Sequence, residues 1–317
     1  MALKPITIPD YFTYIGVFLT FSCQFRCNYC INFHGGDLIK GRQMSKEDWI
    51  RGLNRIQTRP NLPVTLQGGE PTTYKYFYDV VAGITWDIPL DLLTNLSLDI
   101  EKFVEKIPPD RMQRADGFAS IRVSYHHGQS NLQDLLKKVV ELRRRGYSVD
   151  IEEVSHPDFS GEAEARKEEA TALGIPYSLK EFLGPWRGKN YGTLRYPEAV
   201  NSESLRHCEC LTSELLIAPD GNIFRCHSDL YANRLPIGHI LDENPIRLGE
   251  WRPCSMFGRC NSCDIRIQTK PWKETGHSSV EIRNISDRYT TNIPTTQVVN
   301  TYGLRGNLLA IAKKKHG

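Results

Sequence analysis

The sequence has no strong excess of either charge. Its 40 Lys and Arg residues stand against 37 Asp and Glu residues, which leaves a net charge of +3 over 317 residues. So small a charge does not by itself indicate a nucleic-acid partner. The basic runs at 143–145 and 313–315 are short, and a solvated helix face and a frayed tail explain them. We therefore expect no nucleic acid among the partners.

The sequence also lacks a segment that suits a membrane or a signal peptide. The apolar stretch at residues 11–22 is too short and too polar to span a bilayer, and the first residues lack the charged-then-apolar signal pattern. Nine cysteines in a chain of this length do not indicate a secreted disulfide scaffold. Because they are clustered, they indicate metal binding in a reducing compartment. We expect a cytoplasmic protein with no membrane partner.

A third absence is that of a fourth cysteine beside a group of three. Cys23, Cys27 and Cys30 follow an apolar run at 15–20 that predicts a buried strand, and the next cysteine is Cys208. Three thiolates can hold three corners of a cubane iron–sulfur cluster, whereas a cluster that only transfers electrons is normally closed by four. The spacing predicts a cluster with one iron open to a ligand that is not protein. A zinc knuckle or a set of buried thiols is the alternative.

The C-x3-C-x2-C spacing, with Tyr29 before the last cysteine, resembles the radical S-adenosylmethionine (SAM) superfamily. Gly68, Gly69 and Glu70 follow a second predicted strand and match the family's GGE motif, which hydrogen-bonds the amino group of SAM. The resemblance implies a [4Fe–4S] cluster that chelates SAM, reductive cleavage to a 5′-deoxyadenosyl radical, and hydrogen abstraction. The cofactor carries the difficult chemistry, and the protein supplies placement and exclusion of water. An electron donor is also implied, such as a reductase with flavodoxin, or a ferredoxin.

The order of predicted strands and helices indicates an α/β fold. Strands are predicted at 15–20, 63–67, 90–95, 119–127, 147–154 and 176–182, with helical patterns between them. Repeated βα units build a parallel sheet, and six of them resemble the partial (β/α)6 TIM barrel of the family. We divide the chain into a barrel at 1–184, a linker at 185–200, and a Cys-rich extension of twitch or SPASM type with a tail at 201–317.

Polar side chains at the predicted strand ends are candidates for the site, because barrel enzymes keep their chemistry at the carboxyl ends of strands. The predicted cofactor contacts, beyond the GGE motif, are Tyr29, Thr94, Asn95 and Ser124, and Ser124 resembles the family's SAM-contacting position on its strand. His126 lies on the same face of its predicted strand as Ser124, so we predict a role near substrate, with a structural hydrogen bond as the alternative. Glu153 and Lys180 are candidates to bind substrate or move a proton, and an ion pair inside the barrel is the alternative.

A second group of cysteines follows residue 200. The Asp-Gly turn at 220–221 predicts a β-hairpin. The Gly-x4-Cys segment that begins there resembles the start of the SPASM and twitch extensions of radical SAM enzymes. The truncated twitch form fits this sequence better than a full SPASM extension does. The set that would close one auxiliary [4Fe–4S] cluster is Cys210, Cys226, Cys260 and Cys263. Cys208 competes with Cys210, and Cys254 is left as a ligand, a spare thiol or a catalytic group. A structural zinc site is the alternative.

The predicted reaction is hydrogen abstraction from a small polar substrate, such as a sugar, an aminocyclitol or a nucleotide-like molecule. The enzyme would be an oxidoreductase or would catalyse a radical rearrangement, with the auxiliary cluster accepting an electron or helping to bind substrate. We favour this substrate class because residues 1–14 leave no room for a separate peptide-binding domain. Two alternatives stay open: a maturase that modifies a peptide or protein, forming a thioether, an epimer or formylglycine, and a non-catalytic iron–sulfur or zinc protein.

Overall fold

The computed structural model describes most of the chain up to residue 258 and three short strand segments beyond it. The described residues are 3–30, 43–112, 114, 118–182, 184–193, 196–199, 205–244, 246–258, 266–267, 277–278 and 280–286. The predicted ligands Cys260 and Cys263 lie outside these ranges.

The described residues form strands, five longer helices and several short helical turns. The strands are β1 (Ile6–Thr7), β2 (Tyr14–Thr20), β3 (Ile56–Gln57), β4 (Val64–Gly68), β5 (Leu90–Thr94), β6 (Ile121–Tyr125), β7 (Val149–Ser155), β8 (Tyr177–Glu181), β9 (Gly184–Trp186), β10 (Lys189–Tyr191), β11 (Arg206–Thr212), β12 (Glu214–Ile217), β13 (Asn222–Phe224), β14 (Gly238–His239), β15 (Arg252–Phe257), β16 (Arg266–Ile267), β17 (His277–Ser278) and β18 (Val280–Ser286). The helices are α1 (Lys46–Leu53), α2 (Phe77–Gly83), α3 (Ile100–Lys106), α4 (Leu132–Arg144), α5 (Ser160–Ala172) and the short α6 (His227–Tyr231), with 3-10 turns at Pro71–Thr73, Pro109–Met112 and Pro197–Ala199. Within the described ranges no helix combines the length and the apolar composition that crossing a membrane requires.

The main sheet has nine strands in the order β14-β13-β12-β2-β4-β5-β6-β7-β8. From β2 to β8 each strand pairs in parallel with its neighbour, and α1 to α5 lie between these strands in the sequence. The six predicted strands are confirmed, and so is the α/β class with a partial (β/α)6 barrel. Because these six strands run the same way, their carboxyl ends meet at one edge, where barrel folds hold their sites.

Helix α4 illustrates why the chain folds in this way. Apolar residues recur along one side of the helix, and the structure buries them: Leu135, Leu136, Val139 and Leu142. They belong to the same apolar core as the alternating apolar residues of β6 and β7. Asn131 begins the helix, since its side chain accepts a hydrogen bond from the Asp134 N–H. Gly146 follows its end with φ of 93°, a conformation that favours glycine.

Part of the chain after residue 205 extends the barrel sheet. The predicted hairpin is confirmed, since β12 pairs antiparallel with β13 and the Ala218 N–H donates to the Asn222 carbonyl across the turn. The sequence did not indicate that β12 would also pair in parallel with β2. Elsewhere β11 lies between β15 and β18 in an antiparallel sheet. The domain boundaries at 184 and 201 stay predictions.

Candidate active site

A cavity of about 550 Å³ lies at the carboxyl ends of the parallel strands, within the size range of small-molecule sites. Every predicted cofactor contact and one predicted catalytic residue line it: Tyr29, Gly68, Gly69, Glu70, Thr94, Asn95, Ser124 and His126. Cys23, Cys27 and Cys30 line it as well, and they are the only cysteines that do so among the described residues. The structure thus brings together residues that the sequence distributes over four segments, each at or after the end of a parallel strand.

The three cysteines lie on the loop that leaves β2. Cys27 is buried, and Cys23 and Cys30 are partly exposed. Within the loop the Phe25 N–H donates to the Cys23 sulfur at 3.4 Å, and the Cys30 N–H donates to the Cys27 carbonyl at 3.1 Å. The thiols are therefore presented by a hydrogen-bonded backbone turn at the rim of the cavity.

The two glycines of the GGE motif are needed because the cysteine loop packs directly against their backbone. Gly68 has φ of 147°, and a Cβ on it would overlap the Thr20 carbonyl. A Cβ on Gly69 would overlap the backbone of Phe21 and Ser22. The Gly69 N–H donates to the Thr20 carbonyl at 2.8 Å. The motif thus fixes the start of the cysteine loop against the end of β4.

The Glu70 carboxylate is buried and is used by the protein itself. Its Oε1 accepts hydrogen bonds from the Thr72 hydroxyl at 2.6 Å and the Thr94 hydroxyl at 2.8 Å, and its Oε2 accepts from the Asn95 N–H at 2.7 Å. Burial raises the pKa of Glu70, while these hydrogen bonds act in the opposite direction. The resemblance predicts that the Glu70 side chain hydrogen-bonds SAM, but in this structure its hydrogen bonds join the ends of β4 and β5. A contact of Glu70 with SAM stays a prediction.

His126 lies beside the cysteine loop. Its Nδ1 is 3.4 Å from the Cys27 sulfur, and its ring contacts Phe25 edge-on and stacks on Tyr29 with ring centroids 5.6 and 6.5 Å away. Burial lowers the pKa of His126 to about 4. The imidazole is therefore neutral at neutral pH, where it can offer a hydrogen bond without adding charge.

Two thiols of this loop, Cys23 and Cys27, are held in their protonated form when no metal is bound. Burial raises the pKa of Cys27 to about 12, and the neighbouring Cys30 and Cys23 add to the increase. Burial also raises the pKa of Cys23. A thiophilic metal or cluster must displace these protons when it binds. Three sulfur donors around an open cavity fit a [4Fe–4S] cluster that keeps one iron for another ligand.

Two predicted catalytic residues, Glu153 and Lys180, do not line the cavity. Glu153 shares a face of β7 with the core residue Ile151, and it is buried in a bidentate ion pair with Arg166 of α5. The Tyr177 hydroxyl also donates to it at 2.5 Å. Lys180 Nζ lies 3.3 Å from Glu152 Oε1 on the other side of the sheet. Lys180 is in an ion pair inside the barrel, as the alternative interpretation described, whereas the ion pair of Glu153 lies on the helix side of the sheet.

The cavity also has a wall that the sequence did not indicate. Tyr231 of α6 lines it together with Phe18 and Phe21, and the Tyr231 ring lies 5.9 and 6.2 Å from those two rings. Gln67 lines it too, directly before the GGE motif, and its position at a strand end could have identified it. No signal identifies Tyr231, because its approach depends on β12 joining β2.

A second group of thiols forms on the smaller sheet. The sulfur atoms of Cys208, Cys210 and Cys254 all lie within 4.8 Å of one another, and those of Cys208 and Cys210 are 3.5 Å apart. Cys208 and Cys210 share a face of β11, and Cys254 of β15 is directly opposite Cys208. Hydrogen bonds from the other two thiols lower the pKa of Cys254.

This second group differs from the set that the sequence favoured. Only Cys210 belongs to both, and Cys208 and Cys254, which were the alternatives, are its neighbours. Cys226 is buried in the same apolar cluster. Since Cys260 and Cys263 lie outside the described residues, the predicted set of four stays a prediction.

Comparison with known proteins identifies the fold and the cavity. Residues 17–155 match the model of the Radical SAM superfamily. These residues supply the cysteine loop, the GGE motif and the strand ends that line the cavity. This segment is a Radical SAM domain, and the resemblance seen in the sequence is confirmed. No curated protein sequence matches the chain significantly.

Solved structures share the fold at low sequence identity. anSMEcpe with bound AdoMet and a Kp18Cys peptide is 14% identical, with a TM-score of 0.51 over 75% of this chain and 78% of that one. The same protein with bound AdoMet alone gives a TM-score of 0.50 at 14% identity over 72% and 78%. Streptococcus suis SuiB bound to the precursor peptide SuiA gives 0.47 at 14% over 76% and 63%.

Proposed function

We propose that this radical SAM enzyme abstracts a hydrogen atom from a peptide or protein segment. The observation that carries the proposal is that three thiols and an aromatic wall face one cavity at the carboxyl ends of a parallel barrel. The fold of anSMEcpe, whose structure contains a Kp18Cys peptide, supports a peptide over a small molecule. The alternative that the sequence left open thereby becomes the preferred hypothesis.

The residues of the first thiol group fit a SAM-binding cluster. Cys23, Cys27 and Cys30 would hold it, and because no other cysteine of the described residues lines the cavity, one coordination position would stay open for SAM. When bound, the cluster supplies one electron to SAM, which then yields the radical that removes hydrogen from the substrate. A flavodoxin or ferredoxin would act as the electron donor, and the clustered thiols suit a reducing cytoplasm.

The chain contributes placement and exclusion of water. The backbone of Gly68 and Gly69 lies against the cysteine loop, and Ser124 and Asn95 offer polar groups around the same cavity. Rings of Phe18, Phe21, Phe25, Tyr29, Phe182 and Tyr231 cover much of the remaining wall. Apolar walls keep water from a reactive radical and leave substrate hydrogens as its nearest partners.

A small polar substrate is the second candidate. Gln67 lines the cavity, and its Nε2 is buried without a hydrogen-bond partner among the described residues. A buried donor without a partner costs about 1–3 kcal/mol, so a polar substrate atom at this position would be favoured. The Glu181 carboxylate at the end of β8 adds a second polar group to the lining.

An auxiliary cluster or metal ion would occupy the second thiol group. Cys208, Cys210 and Cys254 are soft donors gathered in one buried place, and Cys226 lies in the same apolar cluster. We propose that this site accepts the unpaired electron left on the substrate after hydrogen abstraction, or that it stabilises the sheet of β11, β15 and β18. In the first case the enzyme is an oxidoreductase, and in the second it can catalyse a rearrangement.

The test is transfer of deuterium from substrate to 5′-deoxyadenosine. The enzyme is reconstituted anaerobically with iron and sulfide and given dithionite and SAM, together with either a deuterated peptide pool or deuterated sugars, aminocyclitols and nucleotides. We expect deuterated 5′-deoxyadenosine with the peptide pool. Deuterium from the small molecules alone would favour the second candidate, and no 5′-deoxyadenosine from any mixture would contradict both.

A further inference from the structure

Asn95 contacts a sulfur atom of the first thiol group. Its Nδ2 lies 3.6 Å from Cys23 Sγ, a distance at which an N–H can donate to the larger sulfur atom. Asn95 is buried at the end of β5, with 5% of its surface exposed. Cys23 also accepts the Phe25 N–H at 3.4 Å. One backbone and one side-chain donor therefore converge on this sulfur.

The orientation of the Asn95 amide is fixed by its other contacts. The Ser97 backbone N–H lies 2.9 Å from Oδ1, and because a backbone N–H can only donate, the atom facing it must be the oxygen. Gln24 Nε2 donates to the same oxygen at 3.2 Å. The amide nitrogen is then the atom directed at Cys23, and a flipped amide would place two donors against each other.

The backbone of Asn95 is held by the buried carboxylate of the GGE motif. Glu70 Oε2 accepts the Asn95 N–H at 2.7 Å, and Glu70 Oε1 accepts the hydroxyl of the preceding Thr94 at 2.8 Å. Glu70 is 1% exposed, so water cannot replace it in these contacts. A continuous series of hydrogen bonds runs from Glu70 through Asn95 to Cys23.

We propose that Asn95 is a positioning residue that donates a hydrogen bond to the Cys23 sulfur and raises the reduction potential of the SAM-binding cluster, and that Glu70 acts through it. The inference rests on the proposed function, because it needs a cluster on Cys23. A reduced cluster carries one more negative charge than an oxidised one. An N–H dipole directed at a ligand sulfur stabilises that charge and favours reduction.

The experiment is a redox titration of the reconstituted full chain in the absence of SAM. The titration is monitored by EPR, and the signal of the SAM-binding cluster is identified as the one that changes when SAM is added afterwards. Asn95→Leu removes the donor at nearly constant volume. We expect its ratio of reduced to oxidised cluster to be about tenfold lower at a fixed solution potential, which corresponds to a midpoint about 59 mV lower for a one-electron couple. An unchanged midpoint with full iron content overturns the inference.

Further variants separate this role from a general loss of structure. Asn54→Leu removes an asparagine that hydrogen-bonds Gly83 and Thr85 and lies outside the cavity, so its midpoint should stay unchanged. Glu70→Gln should lower the midpoint by less than Asn95→Leu, and an unchanged value removes Glu70 from the proposal. If Asn95→Leu loses its cluster, Gln24→Leu is measured instead, because it removes the hydrogen bond from Gln24 to the Asn95 amide oxygen. A lower midpoint potential of Gln24→Leu supports the inference, and an unchanged one overturns it.

The outcomes also distinguish this inference from the proposed function. If the unchanged chain binds no [4Fe–4S] cluster, both are overturned. If it binds the cluster and cleaves SAM while Asn95→Leu and Gln24→Leu leave the midpoint unchanged, only the role of Asn95 is overturned.

Discussion

The two groups of thiols differ in what surrounds their sulfur atoms. Cys23, Cys27 and Cys30 lie on a loop and line a cavity, and the Cys23 sulfur receives one backbone and one side-chain hydrogen bond. Cys208, Cys210 and Cys254 lie on two paired strands, are all buried, and line no part of that cavity. The first group is open on one side, and the second is enclosed by protein.

This difference indicates a division of work. Metal sites that are enclosed by protein stabilise a fold or store charge, whereas sites with an open position bind the reacting molecule. We therefore propose that the loop group carries the chemistry on substrate and that the strand group supports the fold or stores charge. The predictions below test this division, beginning with the largest expected effect.

The largest effect is expected from Cys27→Ala. Cys27 is the buried member of the loop group, and two remaining thiols cannot hold a cubane cluster. We expect 5′-deoxyadenosine formation to fall to background after anaerobic reconstitution, measured by chromatography with dithionite and SAM present. Formation above about a tenth of the original rate would show that the loop is not the site of SAM cleavage, and the matched Cys254→Ala variant serves as the control.

Cys254→Ala should change metal content more than SAM cleavage. Removing this thiol takes one of three donors from the enclosed site, while the cavity keeps its full lining. We expect the metal bound per chain to fall by the content of one site, and SAM cleavage without substrate to stay within about twofold. Elemental analysis and 5′-deoxyadenosine measurement check this. Loss of the metal of both sites would contradict the division of work.

The barrel and the loop group could be predicted because their signals are local. The spacing of Cys23 to Cys30 lies within one loop, and apolar runs bounded by turns define the six parallel strands, β2 and β4 to β8. The same strand periodicity could have corrected one prediction: Glu153 alternates in step with Val149 and Ile151, so it faces the helices rather than the cavity.

The second group could not be predicted in the same way. Cys208 meets Cys254 through the register of β11 on β15, and the segments between them fold elsewhere in the structure. Tyr231 reaches the cavity because β12 pairs with β2, a contact between distant parts of the chain. Such pairings depend on tertiary packing, and a single sequence carries little information about them.

Glu70→Leu should destabilise the strand ends beside the loop group of Cys23, Cys27 and Cys30. The change leaves the N–H groups of Thr72 and Asn95 without their acceptor in a buried place. We expect the free energy of unfolding to fall by about 3 kcal/mol, measured by urea denaturation under anaerobic, reducing conditions. Glu168→Leu, an exposed carboxylate of α5, should change it by less than about 0.5 kcal/mol. Equal effects of the two variants would show that the Glu70 contacts do not hold the strand ends together.

The smallest effect on activity and stability is expected from Lys180→Met. This variant tests how far the substrate-binding region extends beyond the cavity. Lys180 pairs with Glu152 at 3.3 Å, and its side chain is 40% exposed, so the ion pair is worth less than about 1 kcal/mol. Since Lys180 does not line the cavity, SAM cleavage should stay within about twofold and unfolding should change by less than about 1 kcal/mol. A tenfold loss of deuterium transfer from substrate, with SAM cleavage intact, would show that substrate reaches beyond the cavity lining to Lys180. The substrate-binding region would then include Lys180, a charged residue that contacts substrate but neither thiol group.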